Sequence, residues 1–387
     1  MTVATIRVDV SPDILRWVRD LSFHGDRDLA AFPKFDAWVE RRAKPTLNEL
    51  TRLAKTAGVP FGYMFLQDPP AWELPIPDFR DGFAPGSTKP SPDLMAVLNQ
   101  SLTRQDWYRD YAQRHGLPEV AVVGSARERD AAGTAADIRT ALAFELSQRT
   151  GTWSDTRKYL LRAFERLGGL TIATSMVANN TKRPLNPAEF RGFALPDSLA
   201  PLVFVNTKQT LNGQIFTLVH EFAHIWRGKA GIGNEGPDRD GQYDIEKWCN
   251  QVASQVLVPE EELASHWASV RTLPIPDALD KLARVYRCGT LVVLQALRRY
   301  GLEAFSDFQL VYENEERRLK RLADKEKPSD GGDHYYNQPY RVGDRLSRAI
   351  IGDTVEGSTT YAEGMKLMSM RSAMNFDEYA RRLGVSR

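Results

Sequence analysis

The sequence has 387 residues, 42% of them hydrophobic and 26% charged, and a formal net charge of +1. A chain this long exceeds one ordinary hydrophobic core, so two or three domains are expected. The near-neutral charge excludes a global attraction to nucleic acid and leaves only local basic patches for such contacts. Two cysteines exclude a disulfide framework. Because no apolar run reaches the ~18 residues of a membrane span, we expect a cytoplasmic protein without a membrane segment.

Residues 1–67 are predicted to form a helix-turn-helix-like bundle of short helices. Ser11 and Pro12 have the N-cap and first-turn proline typical of a helix start, and Gly58 follows the last apolar position of a later helix. DNA contacts, if this domain makes them, would come from a modest basic group: Lys34, Arg41, Arg42 and Lys44. The alternative is a docking domain that keeps this fold and does not bind DNA.

Residues 68–92 are predicted to be a linker or strap, because seven prolines exclude a long helix or a central strand. The motif Asp78-Phe79-Arg80 lies in its middle and could pack across the next domain, and a solvated linker is the alternative. Residues 93–168 have the apolar spacing of a helical lead-in. Three strand-like segments then follow, at 170–173, 192–195 and 201–206, and they predict a small, mostly antiparallel sheet.

The most specific motif is His220-Glu221-x-x-His224, in a stretch that is apolar at nearly every other helical position. Residues four apart share a helix face, so both imidazoles can bind one metal ion with Glu221 beside them. Zinc hydrolases need this pattern, because the nitrogens hold the cation while the carboxylate takes a proton from bound water. Core histidines satisfied by hydrogen bonds are the alternative. Since unpartnered ionisable groups in a buried helix are costly, we expect one Zn²⁺ per chain.

A second helix is predicted to follow residues 227–243, a glycine-rich segment expected to be a mobile loop. Asp244 caps that helix, and Glu246 and Asn250 lie one turn apart on one of its faces. Glu246 is the predicted third zinc ligand, and Asn250 is predicted to support a ligand or to contact substrate. Three acidic residues on or beside the loop compete with Glu246: Glu235, Asp238 and Asp244.

Peptide hydrolysis also needs a donor for the oxyanion, and Arg191 and His266 are the candidates, although nothing in the sequence fixes their positions. The strand-rich segment 192–206 comes just before the metal helix, and an edge strand beside the zinc would let an extended peptide add itself to the sheet through main-chain hydrogen bonds. That arrangement favours a peptide over a non-peptide substrate for zinc hydrolysis.

The rest of the chain is predicted to be helical, which makes the fold α+β and predominantly helical. Residues 271–327 form a helical module with a turn at Cys288-Gly289, and a packing role is favoured over a second helix-turn-helix. Residues 328–387 are expected to form a small folded helical tail. The remaining segment, 93–270, is then the metalloprotease domain.

Six stretches resemble the ImmA/IrrE family of metallo-endopeptidases, in its long form with an N-terminal XRE-like helix-turn-helix. They are KPTLNELTRLAKTAGVPFGYMFLQDPP, PIPDFR, EFRGFALPDSLAPLVFVN, FTLVHEFAHIW, EKWCNQVASQVLVP and GGDHYYNQPYRVGDRLSRAI. The resemblance implies a zincin-like catalytic domain with zinc held by His220, His224 and Glu246, and with Glu221 as the catalytic carboxylate. It also implies an XRE-type repressor or antitoxin as substrate, whose cleavage releases stress-response, mobile-element or defence genes.

The competing hypothesis is a DNA-binding transcriptional regulator or toxin–antitoxin component whose metal site is structural or vestigial. Glu221 argues against it, because a structural zinc has no use for a base beside its ligands.

Overall fold

The computed structural model describes residues 6–21, 29–79, 89–126, 130–233, 244–323 and 341–385. Over these ranges the fold is α+β and predominantly helical, which confirms the predicted class. The chain divides into two compact units, Met1–Pro75 with Phe83–Asn99 and Ile76–Gly82 with Gln100–Arg387. The boundaries of the five segments expected from the sequence stay predictions. No helix in the described ranges is long and apolar enough to cross a membrane.

The first unit contains α1 (Pro12–Leu21), α2 (Phe35–Val39), α3 (Leu47–Ala57) and a short 3-10 helix (Phe61–Phe65) around one apolar core. A capping box starts α3, in which the Thr46 side chain accepts from Glu49 N and the Glu49 side chain accepts from Thr46 N. Gly58 ends this helix with φ 71°, a left-handed conformation that glycine adopts without strain. The helix start at Pro12 and the stop at Gly58 are therefore confirmed.

The chain then runs mostly through the second unit, although α4 begins in the first. Its order is α4 (Pro92–Arg114), α5 (Ala131–Leu142), a 3-10 helix (Leu146–Gln148), α6 (Trp153–Arg166), β1 (Leu170–Thr174), a 3-10 helix (Val177–Asn179), β2 (Gly192–Leu195), β3 (Leu202–Asn206), α7 (Leu211–Arg227), β4 (Gly231–Gly233), α8 (Asp244–Leu257), α9 (Glu260–Val270), α10 (Ile275–Tyr286), α11 (Thr290–Arg299), α12 (Phe308–Ala323), α13 (Asp344–Glu356), α14 (Tyr361–Leu367) and α15 (Ala373–Arg382).

The sheet has the strand order β1-β3-β2-β4. β1 pairs in parallel with β3, whereas β2 pairs antiparallel with both β3 and β4, so the sheet is mixed and mostly antiparallel as predicted. The residue at the centre of β2, Phe193, lies opposite Phe204 on one side and Ile232 on the other. β4 falls inside the segment 227–243, so the loop prediction is wrong at Gly231–Gly233, and residues 234–243 lie outside the described residues.

Helix α7 is the centre of the second unit, because every residue from Gln214 to Trp226 is buried. Its side chains pack on β2, β3, α6 and α8, and the Phe222 ring lies 4.9 Å from that of Phe164 on α6. The prediction of a buried helix is confirmed. Burial on all sides removes water as a partner, so each polar side chain of α7 must be satisfied within the protein.

The start of α13 approaches the end of α6 so closely that only glycine fits at position 343. A Cβ added to Gly343, which has φ 74°, would lie 2.6 Å from Glu165 Oε1 and 2.5 Å from Thr171 O. The Glu165 carboxylate accepts a 2.8 Å hydrogen bond from the Thr171 hydroxyl. Burial nevertheless raises the pKa of Glu165 to about 7.

We predict that Glu165→Gln stabilises the protein in mildly alkaline solution. The folded state binds the Glu165 proton more tightly than the unfolded chain, whose pKa is near 4.5. The contribution of Glu165 to the free energy of unfolding is thus fully present below pH 4.5 and is lost as pH rises through about 7. The neutral variant should gain about 2–3 kcal/mol in free energy of unfolding at pH 8 and little near pH 4.5. Urea unfolding at both pH values measures this, and an equal gain at both would contradict it.

Candidate metal centre

Two adjacent helices carry the predicted site residues. The Thr210 side chain caps α7 by accepting from Gly213 N, and Gly228 ends the helix with φ 68°. The regular turns between these ends place the His220 and His224 side chains one turn apart on the face that meets α8. From α8, Glu246 faces them and is completely buried. Local helix signals in the sequence therefore determine both halves of the site.

The nitrogens of both histidines converge on the Glu246 carboxylate. His220 Nε2 lies 3.0 Å from Glu246 Oε2, and His224 Nε2 lies 3.2 Å from Glu246 Oε1. The two Nε2 atoms lie 3.2 Å from each other. In a tetrahedral zinc site with bonds of about 2.0–2.1 Å, ligand atoms lie about 3.3 Å apart. The three donors thus have nearly the spacing that a zinc ion requires.

The opposite nitrogen of each imidazole has an oxygen partner. His220 Nδ1 lies 2.9 Å from Asn250 Oδ1, and His224 Nδ1 lies 3.2 Å from the Lys229 carbonyl oxygen. A hydrogen on Nδ1, donated to each oxygen, leaves both Nε2 atoms as lone-pair donors directed at Glu246. This tautomer is the one that metal-binding histidines use. Asn250 therefore supports His220, one of the two roles predicted for it.

Two carboxylate oxygens of the cluster are buried without a hydrogen-bond donor among the described residues: Glu221 Oε2 and Glu246 Oε1. Burial raises the pKa of Glu221 to about 8. Burial opposes charge on Glu246 too, but when the facing His220 and His224 imidazoles carry protons on Nε2, their hydrogen bonds and charge hold the pKa of Glu246 well below its usual range. Unpartnered buried carboxylate oxygens are costly unless a cation lies between them, so the donor set fits a divalent metal.

A thiol adjoins the same cluster. Cys249 Sγ lies within 4.8 Å of nitrogen atoms of His220 and His224 and is fully buried. The Cys249 side chain also packs in the apolar core of the second unit. The Glu246 oxygens are nearer to both imidazoles, at 3.0 and 3.2 Å, so the carboxylate is the better third donor.

A small cavity of about 10 Å³, room for roughly one water molecule, opens beside the cluster. Its lining consists of Arg191, Phe216, Thr217, His220, Glu221 and Gly233. The backbone of Arg191 is fixed, because its N–H donates to Gly233 O and its carbonyl accepts from Asn206 N. The Arg191 guanidinium has no ion-pair or hydrogen-bond partner within the described part of the chain. Arg191, a half-buried residue, therefore lines the same cavity as Glu221.

The other candidates lie elsewhere or outside the described residues. His266 is on α9, and its Nδ1 lies 2.9 Å from the Tyr286 hydroxyl oxygen. It does not line the cavity, so the contacts give no support to its predicted role as oxyanion donor. Glu235 and Asp238 fall outside the described ranges, and Asp244 is exposed at the first turn of α8.

The sequence analysis missed three contributors to the site. One is the Lys229 carbonyl, which no side-chain pattern can reveal. The second is Gly192, where an added Cβ would lie 2.7 Å from Glu221 Oε1 and 2.6 Å from Thr217 Cγ2. A glycine inside a predicted strand is a signal of close approach, and it was available from the sequence. The third is the contact of the Phe79 ring with His224, because the motif at 78–80 was expected to pack across the next domain but not against a metal-binding histidine.

We predict that Gly192→Ala displaces Glu221 and destabilises the domain. The new methyl group would meet the Phe204 carbonyl oxygen at 2.8 Å as well as the two side chains named above, so α7 must shift away from β2. The expected loss is about 1–3 kcal/mol in free energy of unfolding. Gly352→Ala is the matched control, because nothing lies within 4 Å of its added Cβ in α13. Thermal unfolding compares the two, and equal midpoints would contradict the prediction.

A buried helix with two histidines and a glutamate, packed on a small mixed sheet and completed by a carboxylate from the next helix, defines a metallopeptidase-like domain. Residues 164–298 match the IrrE N-terminal-like domain of the Peptidase M78 family. The chain therefore carries a domain of the ImmA/IrrE family, as the resemblance indicated. Residues 342–382 match a domain of unknown function, DUF8813, and no curated protein matches the chain.

Proposed function

We propose that the protein is a zinc-dependent endopeptidase with one zinc ion held by His220, His224 and Glu246. The observation that carries this proposal is the convergence of three buried donors within 3.2 Å of one another, beside Glu221, whose Oε2 has no hydrogen-bond partner among the described residues. A purely structural zinc site would leave Glu221 buried without a purpose. When bound, zinc supplies Lewis-acid polarisation of a carbonyl and activates water for attack.

The chain's own residues supply the proton transfers and the charge stabilisation. Glu221 takes a proton from the attacking water and passes it to the leaving amine, as a positioned general base does. The one-water cavity that Glu221 lines gives that water a place to reside. Arg191 lines the same cavity, and we assign its guanidinium as the donor for the negative charge that develops on the scissile carbonyl oxygen.

For the substrate we propose an XRE-type repressor or antitoxin, which follows from the family resemblance and suits a peptidase domain. Its cleavage would release stress-response, mobile-element or defence genes. Two buried free cysteines suit a reducing, cytoplasmic setting. DNA binding by the first unit stays a prediction, and two of the four cations invoked for it are paired, Arg42 with Glu40 and Lys44 with Asp9.

Elemental analysis and a cleavage assay test the proposal together. The purified full-length chain should contain about one zinc per molecule. It should cut a library of internally quenched peptides, and any XRE-type repressor encoded beside its gene, in a reaction that a chelator stops and added zinc restores. Absence of stoichiometric metal, or cleavage that a chelator does not affect, would overturn the proposal.

A further inference from the structure

The middle of the proline-rich segment lies on the outer edge of the sheet. Within the segment 68–92, we call only residues 76–79 the strap. Phe79 N donates to the Ile232 carbonyl oxygen at 2.9 Å, and Ile232 N donates to the Pro77 carbonyl oxygen at 3.2 Å. These two bonds form a parallel bridge between Asp78 and Ile232 of β4. Because β2 occupies the other side of β4, the strap takes the edge on which an added peptide strand would pair.

The strap also places an aromatic ring against the metal cluster. The Phe79 ring is parallel to that of His224 within 10°, with 6.4 Å between centroids. Gly231 makes room for it, since a Cβ there would lie 2.6 Å from Phe79 Cε2 and 3.2 Å from His224 Cε1. Gly231 and His224 thus form a notch that receives one flat side chain. This notch lies next to a proposed zinc ligand and opens on the peptide-pairing edge.

The pairing of the strap with β4 cannot extend toward its N-terminal side. Positions 77 and 75, which alternate with Phe79 along an extended strand, are both proline and have no N–H to donate. Asp78 is exposed and Phe79 is half-buried. The two main-chain bonds to Ile232 and the ring contact with His224 lie on the outer side of β4, so the strap can leave this edge while β4 retains its pairing with β2.

We propose that the outer edge of β4 and the Gly231–His224 notch form a peptide-binding subsite for an extended segment with an aromatic side chain, and that the strap fills this subsite as a built-in competitor. The inference rests on the proposed function and adds the class of peptide that the site takes. Substrate and strap use the same two Ile232 hydrogen bonds and the same notch, so the substrate binds only when the strap has left.

Binding in trans tests this without requiring hydrolysis. The probe is a fluorescein-labelled peptide with the sequence of residues 72–82, WELPIPDFRDG, added to the zinc-loaded full chain carrying Glu221→Gln, so that the peptide is not consumed. Adding Phe79→Ala to that chain should lower the Kd at least ten-fold, because the edge and notch become vacant. A peptide with alanine in place of its phenylalanine should bind neither protein.

Two further variants keep the test decisive. Phe79→Pro removes the ring and also the N–H that donates to Ile232. It should bind the probe as tightly as Phe79→Ala does, so either variant can replace the other if one folds poorly. Phe65→Ala, which removes a half-exposed phenyl from the first unit, should leave the Kd unchanged. Equal Kd values for the parent chain and both strap variants would overturn the proposal. Tighter probe binding by the strap variants, together with no cleavage of the internally quenched peptide library by the Glu221-containing strap variants, would reject the proposed function alone.

Discussion

Replacing Glu221 with glutamine is expected to lower kcat by about 10²–10⁴-fold while the protein keeps its zinc. Glutamine has the same shape and fits beside Gly192, but it cannot take a proton from water. Glu221 is also not one of the three converging donors, so its loss leaves the metal ligands in place. Turnover of an internally quenched peptide measures kcat, and the zinc content of the same sample measures whether the metal is retained.

The matched control for this variant is Glu261→Gln, an identical change at an exposed position on α9. It should retain the kcat of the parent chain. Full release of the target genes by the Glu221→Gln protein would contradict the endopeptidase assignment. That outcome would favour the alternative of a regulator whose metal site is structural, because such a site needs no general base.

Glu246→Ala is expected to raise the Kd for zinc by more than 100-fold. Removing a residue that only supports a ligand typically costs about 10–100-fold in metal affinity, and Glu246 is proposed to be a ligand itself. Asn250→Ala gives the comparison, because Asn250 bonds His220 Nδ1 and not the metal-facing nitrogen. The Kd of Asn250→Ala for zinc should rise by about 10–100-fold. Competition with a chromophoric chelator measures both constants on folded protein.

Cys249→Ala separates the two possible third donors. The thiol lies within 4.8 Å of the imidazole nitrogens, so its participation is a direct alternative to that of the carboxylate. We expect zinc affinity to change little in Cys249→Ala, because the Glu246 oxygens are closer to both nitrogens. A loss of zinc in Cys249→Ala that exceeds the loss in Glu246→Ala would assign the third ligand to sulfur.

The parts of the site that the sequence predicted depend on helical periodicity. His220 and His224 are four residues apart on one helix, as are Glu246 and Asn250 on the next, and such spacings translate directly into a shared face. Strands β1, β2 and β3 were also predicted, since each is a short apolar run between turn signals. Local patterns were sufficient wherever the geometry is itself local.

The parts that the sequence missed depend on contacts between distant segments. β4 consists of Gly-Ile-Gly and has almost no intrinsic strand preference, so its pairing with β2 alone makes it a strand. Arg191 and His266 were equal candidates because their positions relative to α7 are set by tertiary packing. The structure places only Arg191 in the cavity beside Glu221, and only the fold could supply that distinction.

Covalent attachment at both ends gives the strap an advantage over any free peptide. Because the strap belongs to the same chain as the edge that it fills, its competition does not weaken on dilution, whereas a free peptide competes only at its own concentration. Under the proposed function, the basal rate of peptide cleavage depends on how often the strap leaves the edge. A partner that pulls on residues flanking the strap would raise that rate without altering the proposed zinc ligands.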